Sequence, residues 1–312
     1  MSSPLSPPPA ACLRLWCLAL LIALASLALL PASAGAAPRM ALVLGNASYD
    51  FGPLPNVVND VAALSDKLQR FGFQVETAMD LDQSQTYNTL LHFLAQAVDA
   101  QEVLFFYAGH AIQVNGRNYI VPLDAKVGGN ELVFTLVDLR FLTERLDGLS
   151  ARTKLILLDA CRDNPFSQAA NASGGLAEMN APLGTLVAFS TAPGYTAEDG
   201  VGEHSPYMTA LLQALDDADA SVEEVFKQVR GLVVKATGGR QIPWESTSLI
   251  TSFKFGAPVA PPAQAAPAAT EPARTAGDNC PNCTCASLFT KLSLGLEGLT
   301  KHEQAFIQSV CR

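Results

Sequence analysis

The sequence predicts an α/β protein, a three-layer αβα sandwich built around a mainly parallel sheet of six strands. Along residues 38 to about 255, apolar strand-like segments alternate with amphipathic helix-like segments, as in a parallel sheet covered on both faces. Residues 155–158 form an unbroken apolar run, Leu-Ile-Leu-Leu, which suits a strand buried on both faces. Hydrophobic residues make up 49% of the chain and charged residues 16%, so a sizeable core can form.

The first half of this region alternates strand and helix. Residues 40–44 form an apolar strand that ends at Gly45. "FQVETA" and "EVLFFYAGH" are the second and third strands, and "SQTYNTLLHFLAQAV" is a helix with Ser84 as its expected N-cap. Between the first two strands, apolar residues recur at spacings of three and four, which predicts an amphipathic helix: Val57, Val61, Leu64 and Leu68.

The second half begins with a hairpin over residues 112–121, because Asn115-Gly116 is a strong signal for a two-residue turn. A helix is predicted at about 136–147, before the apolar strand at 155–158. "GTLVAFSTA" is a further strand, "SPYMTALLQAL" and "SVEEVFKQVRGLVVKA" are helices, and "SLITSFKF" is predicted to be the closing strand.

Residues 1–37 have the composition of a secretory signal peptide. Arg14 precedes a long apolar stretch, and small residues follow in "PASAGAA". An uncleaved membrane anchor is the alternative interpretation. The sequence therefore predicts an exported protein, periplasmic or secreted, with no membrane attachment once the signal is removed.

Two further segments follow the α/β domain of residues 38–256. Residues 257–279 are rich in Ala and Pro, which predicts a linker. Residues 280–312 form a small helical module with four cysteines, which either pair in two disulfides, as favoured in an exported chain, or bind zinc through their thiolates. These cysteines are Cys280, Cys283, Cys285 and Cys311.

The formal net charge of −9 argues against nucleic acid as a partner, since an acidic surface repels phosphate backbones. The same charge is compatible with attraction of cationic peptides. Oligomeric state is left open by the sequence. No nucleotide-binding glycine motif follows the first strand, and neither a cofactor nor a metal is predicted for the α/β domain.

His110 and Cys161 stand at the carboxyl ends of two predicted strands, where ligands bind in open α/β sheets. A thiol needs a nearby base to act as a nucleophile at neutral pH, so this pairing indicates a catalytic dyad. Their separation is 161 − 110 = 51 residues. In the caspase signature, the histidine likewise lies about fifty residues before an Ala-Cys-Arg-type motif.

Residues 38 to about 255 resemble the caspase-like cysteine peptidases of the peptidase C14 family, nearer their bacterial and metacaspase branches. The resemblance is carried by "LVLGNASY", "LPNVVNDV", "FYAGHA", "LLDACRDNPF", "STAPGYTAEDG" and "SPYMTALL". It implies a caspase-like sheet and a cysteine endopeptidase acting on polypeptides. In that mechanism Cys161 is the nucleophile and His110 is the general base.

The resemblance also implies an oxyanion hole formed by the backbone N–H groups of Cys161 and Ala111. Such preorganised donors typically contribute about 3 kcal/mol each. This chain has "GHA" where the family has "GHG". The methyl group of Ala111 would crowd the oxyanion hole if the site required a positive φ at this residue.

Asp60 and Asp159 match the acidic pocket positions of metacaspases. Two carboxylates in a recessed pocket favour Arg or Lys before the cleaved bond, and Arg can bind them in bidentate fashion. The alternative for Asp60 is a carboxylate stabilised by the dipole at a helix N-terminus. The competing function is a catalytically silent caspase-fold protein that binds basic peptides.

Overall fold

The computed structural model describes residues 38–126, 132–160, 172–173 and 175–256, with only the backbone described for residues 172–173. The predicted signal peptide, linker and cysteine-rich module lie outside these residues, as does Cys161. Among the described residues, no helix has both the length and the apolar character needed to cross a bilayer.

In the part of the chain that the structure describes, six strands form the central sheet: β1 (Arg39–Gly45), β2 (Phe73–Met79), β3 (Glu102–Gly109), β7 (Thr153–Ala160), β9 (Thr185–Phe189) and β10 (Trp244–Thr247). Their order is β10-β9-β7-β3-β1-β2, and all neighbours are parallel except β10 and β9. The predicted six-stranded, mainly parallel sheet is confirmed.

Within the described residues, five α-helices cover the two faces of this sheet: α1 (Asn56–Arg70), α2 (Gln83–Gln96), α3 (Leu139–Asp147), α4 (Pro206–Ala214) and α5 (Val222–Thr237). Helices α1, α4 and α5 share one core with Leu155 and Leu157, whereas α2 and α3 share the other with Ile156 and Leu158. Alternate residues of β7 thus enter opposite cores, which explains why its residues 155–158 are all apolar.

A small antiparallel sheet begins directly after His110: β4 (Ala111–Val114), β5 (Arg117–Ile120), β6 (Val137–Asp138) and β8 (Ala172–Ser173), in the order β6-β5-β4-β8. Strands β4 and β5 form the predicted hairpin. Its turn residues Asn115 and Gly116 have φ values of 52° and 74°, as a type I′ turn requires.

Two local predictions were wrong. Helix α2 is capped by Asp82 and not by Ser84: the Asp82 carboxylate accepts the Gln85 N–H, and the Gln85 side chain accepts the Asp82 N–H. The sixth strand is Trp244–Thr247 and not "SLITSFKF", in which only Lys254 makes a bridge, to Ser221.

Arg39 anchors the last described segment to the first strand. Its guanidinium, 4% exposed, donates to Glu102 and to the carbonyls of Phe71, Lys254 and Phe255. The segment "SFKF" is therefore held in place by hydrogen bonds from Arg39 to two of its backbone carbonyls and by the packing of its two aromatic rings. It does not join the sheet.

Candidate active site

The candidate site lies at the carboxyl ends of the parallel strands. Strand β2 lies beside β1 at one edge of the sheet. The next strand in the chain, β3, lies on the other side of β1, so the strand order reverses between β1 and β3. Such a switch point opens a crevice for ligands. On the far side of β3, the register pairs Gly109 with Ala160 of β7. The residues that precede positions 110 and 161 are thus direct neighbours.

His110 is nearly buried, 6% exposed, and its ring is held on two sides. The Nε2 atom lies 2.8 Å from the carbonyl oxygen of Gly52, and the ring packs edge-on against Tyr49 with centroids 4.6 Å apart. A carbonyl oxygen can only accept, so Nε2 donates the hydrogen. In the neutral imidazole the lone pair therefore lies on Nδ1.

The loop that carries Tyr49 and Gly52 is fixed by Asp80. The Asp80 carboxylate accepts hydrogen bonds from the backbone N–H groups of Ala47 and Ser48, at 2.7 and 3.0 Å, and from the Ser48 hydroxyl. Burial raises the pKa of Asp80, but these hydrogen bonds outweigh it and lower the pKa overall. A charged carboxylate thus holds the loop against His110.

Tyr49 connects the same loop to the strand ends. Its hydroxyl donates to the Val121 carbonyl at 2.8 Å and accepts the His110 N–H at 3.2 Å. Burial raises the pKa of Tyr49 to about 12, so the hydroxyl stays neutral and able to donate. The backbone and the ring of His110 are therefore both positioned by residues of this loop.

Gly109 is required by its surroundings. Its φ of +155° disfavours a side chain, and a β-carbon would lie 2.8 Å from Tyr107 Cζ and 3.0 Å from Tyr49 Oη. Non-glycine residues with positive φ are Asp80 and Asn115 within the described part of the chain. Ala111 is therefore in an ordinary conformation, and its methyl group causes no backbone strain.

Asp60 and Asp159 are both fully buried. Asp60 lies one turn into α1 and is held by residues outside that helix: its Oδ1 is 2.7 Å from His204 Nδ1, and its Oδ2 is 3.4 Å from the Ser205 N–H. The Ser205 hydroxyl donates to Asp159 Oδ2 at 2.6 Å. The alternative interpretation, a carboxylate at the helix N-terminus, does not match these contacts.

Burial and, after it, the charge of Asp159 raise the pKa of Asp60 to about 7. Hydrogen bonds from His204 and from the Ser205 N–H act in the opposite direction. The two carboxylates therefore interact electrostatically, and near neutral pH Asp60 exchanges a proton.

His204 and Ser205 were not singled out from the sequence. The available signal was "HSPY", in which a serine before a proline marks the start of a helix. Ser205 is indeed the N-cap of α4, and its side chain accepts the Met208 N–H at 2.9 Å. Nothing in this pattern indicates that the same two residues also contact carboxylates distant in sequence.

The loop before α4 is attached to α1 by side-chain amides. Asn56 donates to the Asp199 carbonyl at 2.7 Å, and Asn59 donates to the Glu203 carbonyl at 3.0 Å. On its outer side the loop borders a cavity of about 690 Å³ against α4 and α5. The described residues contain no group of three or more His, Cys, Asp and Glu side chains arranged to bind a metal ion.

Comparison with known proteins agrees with this architecture. The caspase domain of peptidase C14 matches residues 38–254. Mucosa-associated lymphoid tissue lymphoma translocation protein 1 homolog of Mus musculus is 30% identical over 127 residues. Mucosa-associated lymphoid tissue lymphoma translocation protein 1 of Homo sapiens is 29% identical over 127 residues. Each match covers 40% of this chain and 15% of the relative, so the chain spans a small part of their length.

Replacement of Gly109 tests how tightly the strand end is packed. We expect Gly109→Ala to lower the free energy of unfolding by about 3 kcal/mol, through unfavourable φ and overpacking against Tyr107 and Tyr49. Gly72→Ala is the matched control, because Gly72 also has positive φ but has no atom within 4 Å of the added β-carbon. It should cost only about 1 kcal/mol. Urea unfolding measures both, and equal losses would contradict the packing argument.

Proposed function

The chain belongs to the peptidase C14 family of caspase-domain proteins, and on that basis we propose that it is a cysteine endopeptidase that cleaves polypeptides after Arg or Lys. Cys161 is the proposed nucleophile and His110 the general base. The observation that carries the proposal is the register of β3 and β7, which pairs Gly109 with Ala160. His110 and Cys161 each follow one member of this pair.

The proposed reaction uses the tautomer that Gly52 favours. With Nε2 donating to the carbonyl, Nδ1 accepts the thiol proton of Cys161 as sulfur attacks the substrate carbonyl carbon. Collapse of the tetrahedral intermediate breaks the C–N bond, and His110 returns the proton to the leaving amine. Water then attacks the thioester, the carboxylic acid product leaves, and the thiol is restored.

The register of the β4–β5 hairpin supports Ala111 as an oxyanion donor. Val121 donates its N–H to the His110 carbonyl at 3.0 Å, so the hydrogen-bonded pairs of this ladder involve even-numbered residues of β4. Ala111, opposite Ile120, belongs to a pair without such bonds, and its N–H is directed away from β5. The N–H of Ala111 is therefore not used in the β4–β5 ladder, as a backbone oxyanion donor requires.

The preference for basic residues is proposed from Asp60 and Asp159. Both carboxylates are buried, and their charges interact. In the free protein the two carboxylates repel each other. A guanidinium or ammonium group of the substrate that entered this region would offset that repulsion. An acidic substrate side chain would add a third negative charge to the pocket.

The enzyme proposal is tested with fluorogenic peptides that end in Arg, Lys or Asp, beside Cys161→Ala and His110→Asn. We expect turnover of the Arg and Lys peptides only, with a loss of at least about a thousand-fold in kcat for either variant. Cys161→Ser is the conservative control for folding.

The competing function, a silent binding protein, gives a different outcome. Wild type and Cys161→Ala would then bind basic peptides equally, and neither would cleave them. Cleavage after Asp by the wild type would instead contradict the proposed specificity and leave the cysteine chemistry intact.

A second prediction concerns pH. Because the pKa of Asp60 is raised to about 7, the carboxyl is charged above that pH and neutral below it. We expect KM for Arg peptides to fall about ten-fold from pH 6 to pH 8, equivalent to about 1.4 kcal/mol for one added charge. Asp60→Asn should give a high KM that changes little with pH.

KM must be separated from kcat in that experiment, because His110 acts on kcat. Asp216→Asn, which replaces an exposed carboxylate paired with Lys67, is the control for a general change in protein charge. A pH dependence of KM that persists unchanged in Asp60→Asn would contradict the assignment.

We further propose that residues 1–37 direct export and are removed, and that the four cysteines of residues 280–312 form disulfides. Both segments lie outside the described residues, and both proposals rest on composition. N-terminal sequencing of protein recovered from the periplasm of an expression host should begin near Ala37. Recovery of the intact N-terminus in the membrane fraction would favour the anchor instead.

A further inference from the structure

We propose that His204 and Ser205 are positioning residues for the acidic pocket: together they hold Asp60 and Asp159 as carboxylates and so set how strongly the pocket binds a basic side chain. The inference rests on the proposed function, because it assigns the pocket to basic substrates. It concerns binding, however, and stands apart from whether Cys161 performs chemistry.

The contacts divide between two consecutive residues. His204 Nδ1 lies 2.7 Å from Asp60 Oδ1, and the Ser205 hydroxyl lies 2.6 Å from Asp159 Oδ2. The Ser205 N–H also faces Asp60 Oδ2 at 3.4 Å. Thus one dipeptide, at the start of α4, supplies hydrogen-bond donors to both carboxylates.

These donors are needed because burial disfavours the charged form of each carboxylate, and each charge disfavours ionisation of the other. A carboxyl group held in its protonated form would attract a cation only weakly. The N-terminal end of α4 adds a favourable dipole, since Ser205 is its N-cap. The dipeptide therefore favours the charge state that a basic substrate requires.

The other ionisable groups around the pocket do not replace His204. Tyr207, on α4, is fully buried and has a pKa raised well above its usual value, by burial first and then by Asp159 and Glu245. It is therefore a neutral phenol. Asp199 and Glu203, on the preceding loop, are acidic residues and bring no positively charged group to the pocket.

The surroundings of His204 allow replacement without overpacking. Its side chain is 24% exposed, and it lines the cavity of about 690 Å³ that borders α4 and α5, where Lys235 and Arg240 lie. Arg240 is paired with Glu198. Smaller side chains at residue 204 therefore leave the neighbouring helices in place.

The test measures binding without catalysis, in protein carrying Cys161→Ala. Acetyl-argininamide is titrated by calorimetry, with acetyl-citrullinamide as its neutral isostere. We expect His204→Ala and Ser205→Ala to weaken binding of the arginine probe at least ten-fold at pH 8, and the citrulline probe to bind weakly throughout.

Conservative variants distinguish positioning from general structure. His204→Asn places an amide N–H near the position of Nδ1, and Ser205→Thr keeps the hydroxyl and the helix cap. Both should stay within about three-fold of wild-type affinity at pH 8. His204→Asn should also move the midpoint of the pH dependence upward, because a neutral amide favours the Asp60 carboxylate less than an imidazole that can carry charge.

His92→Asn, on the exposed surface of α2, is the control for loss of a histidine, and urea unfolding verifies that every variant folds. Wild-type affinity in His204→Ala over pH 6 to 8.5 would overturn the proposal. So would equal binding of the arginine and citrulline probes by the parent protein. His204-dependent binding without peptide cleavage by the intact Cys161 protein would uphold the inference and refute the endopeptidase.

Discussion

The parallel pairing of β3 with β7 is the constraint on which the candidate site depends. Both strands are buried on both faces, so a slip of one residue would exchange apolar side chains between two apolar cores. The apolar side chains alone therefore do not specify the register of these two strands. The polar residue near the end of β7 does. Asp159 shares its face of β7 with Leu155 and Leu157, toward α1 and α4, and a slip would turn it away from Ser205.

Burial of Asp159 in turn constrains the beginning of α4. The Ser205 hydroxyl accepts the Met208 N–H as a helix cap and donates its own hydrogen to Asp159. A serine hydroxyl has one donor and two acceptor sites, so a single side chain can satisfy both roles. The start of the helix and the charge of the pocket therefore depend on the same atom, which explains why this helix begins where it does.

The sequence was sufficient for the parts of the structure governed by local pattern. Apolar runs and helical spacing predicted the sheet and its helices, and Asn115-Gly116 predicted the hairpin. "SLITSFKF" was mistaken for a strand because its buried aromatic residues, Phe253 and Phe255, pack beside Arg39 instead of in a sheet. His204 was missed because its partner Asp60 lies 144 residues away, and no local pattern encodes such a contact.

The connection from β1 to α1 links the imidazole to the pocket. Within this connection Gly52 orients His110. Asp60, which contacts His204, lies just beyond it in α1. Asp80 fixes the beginning of this connection with a charged carboxylate, from a backbone of φ 54° that few residues other than glycine adopt. The ring of His110 and the first residues of α1, which carry Asp60, are thus positioned by one short segment. In the proposed peptidase, folding itself would contribute the orientation that a reaction in water has to find by chance, which is a form of preorganisation.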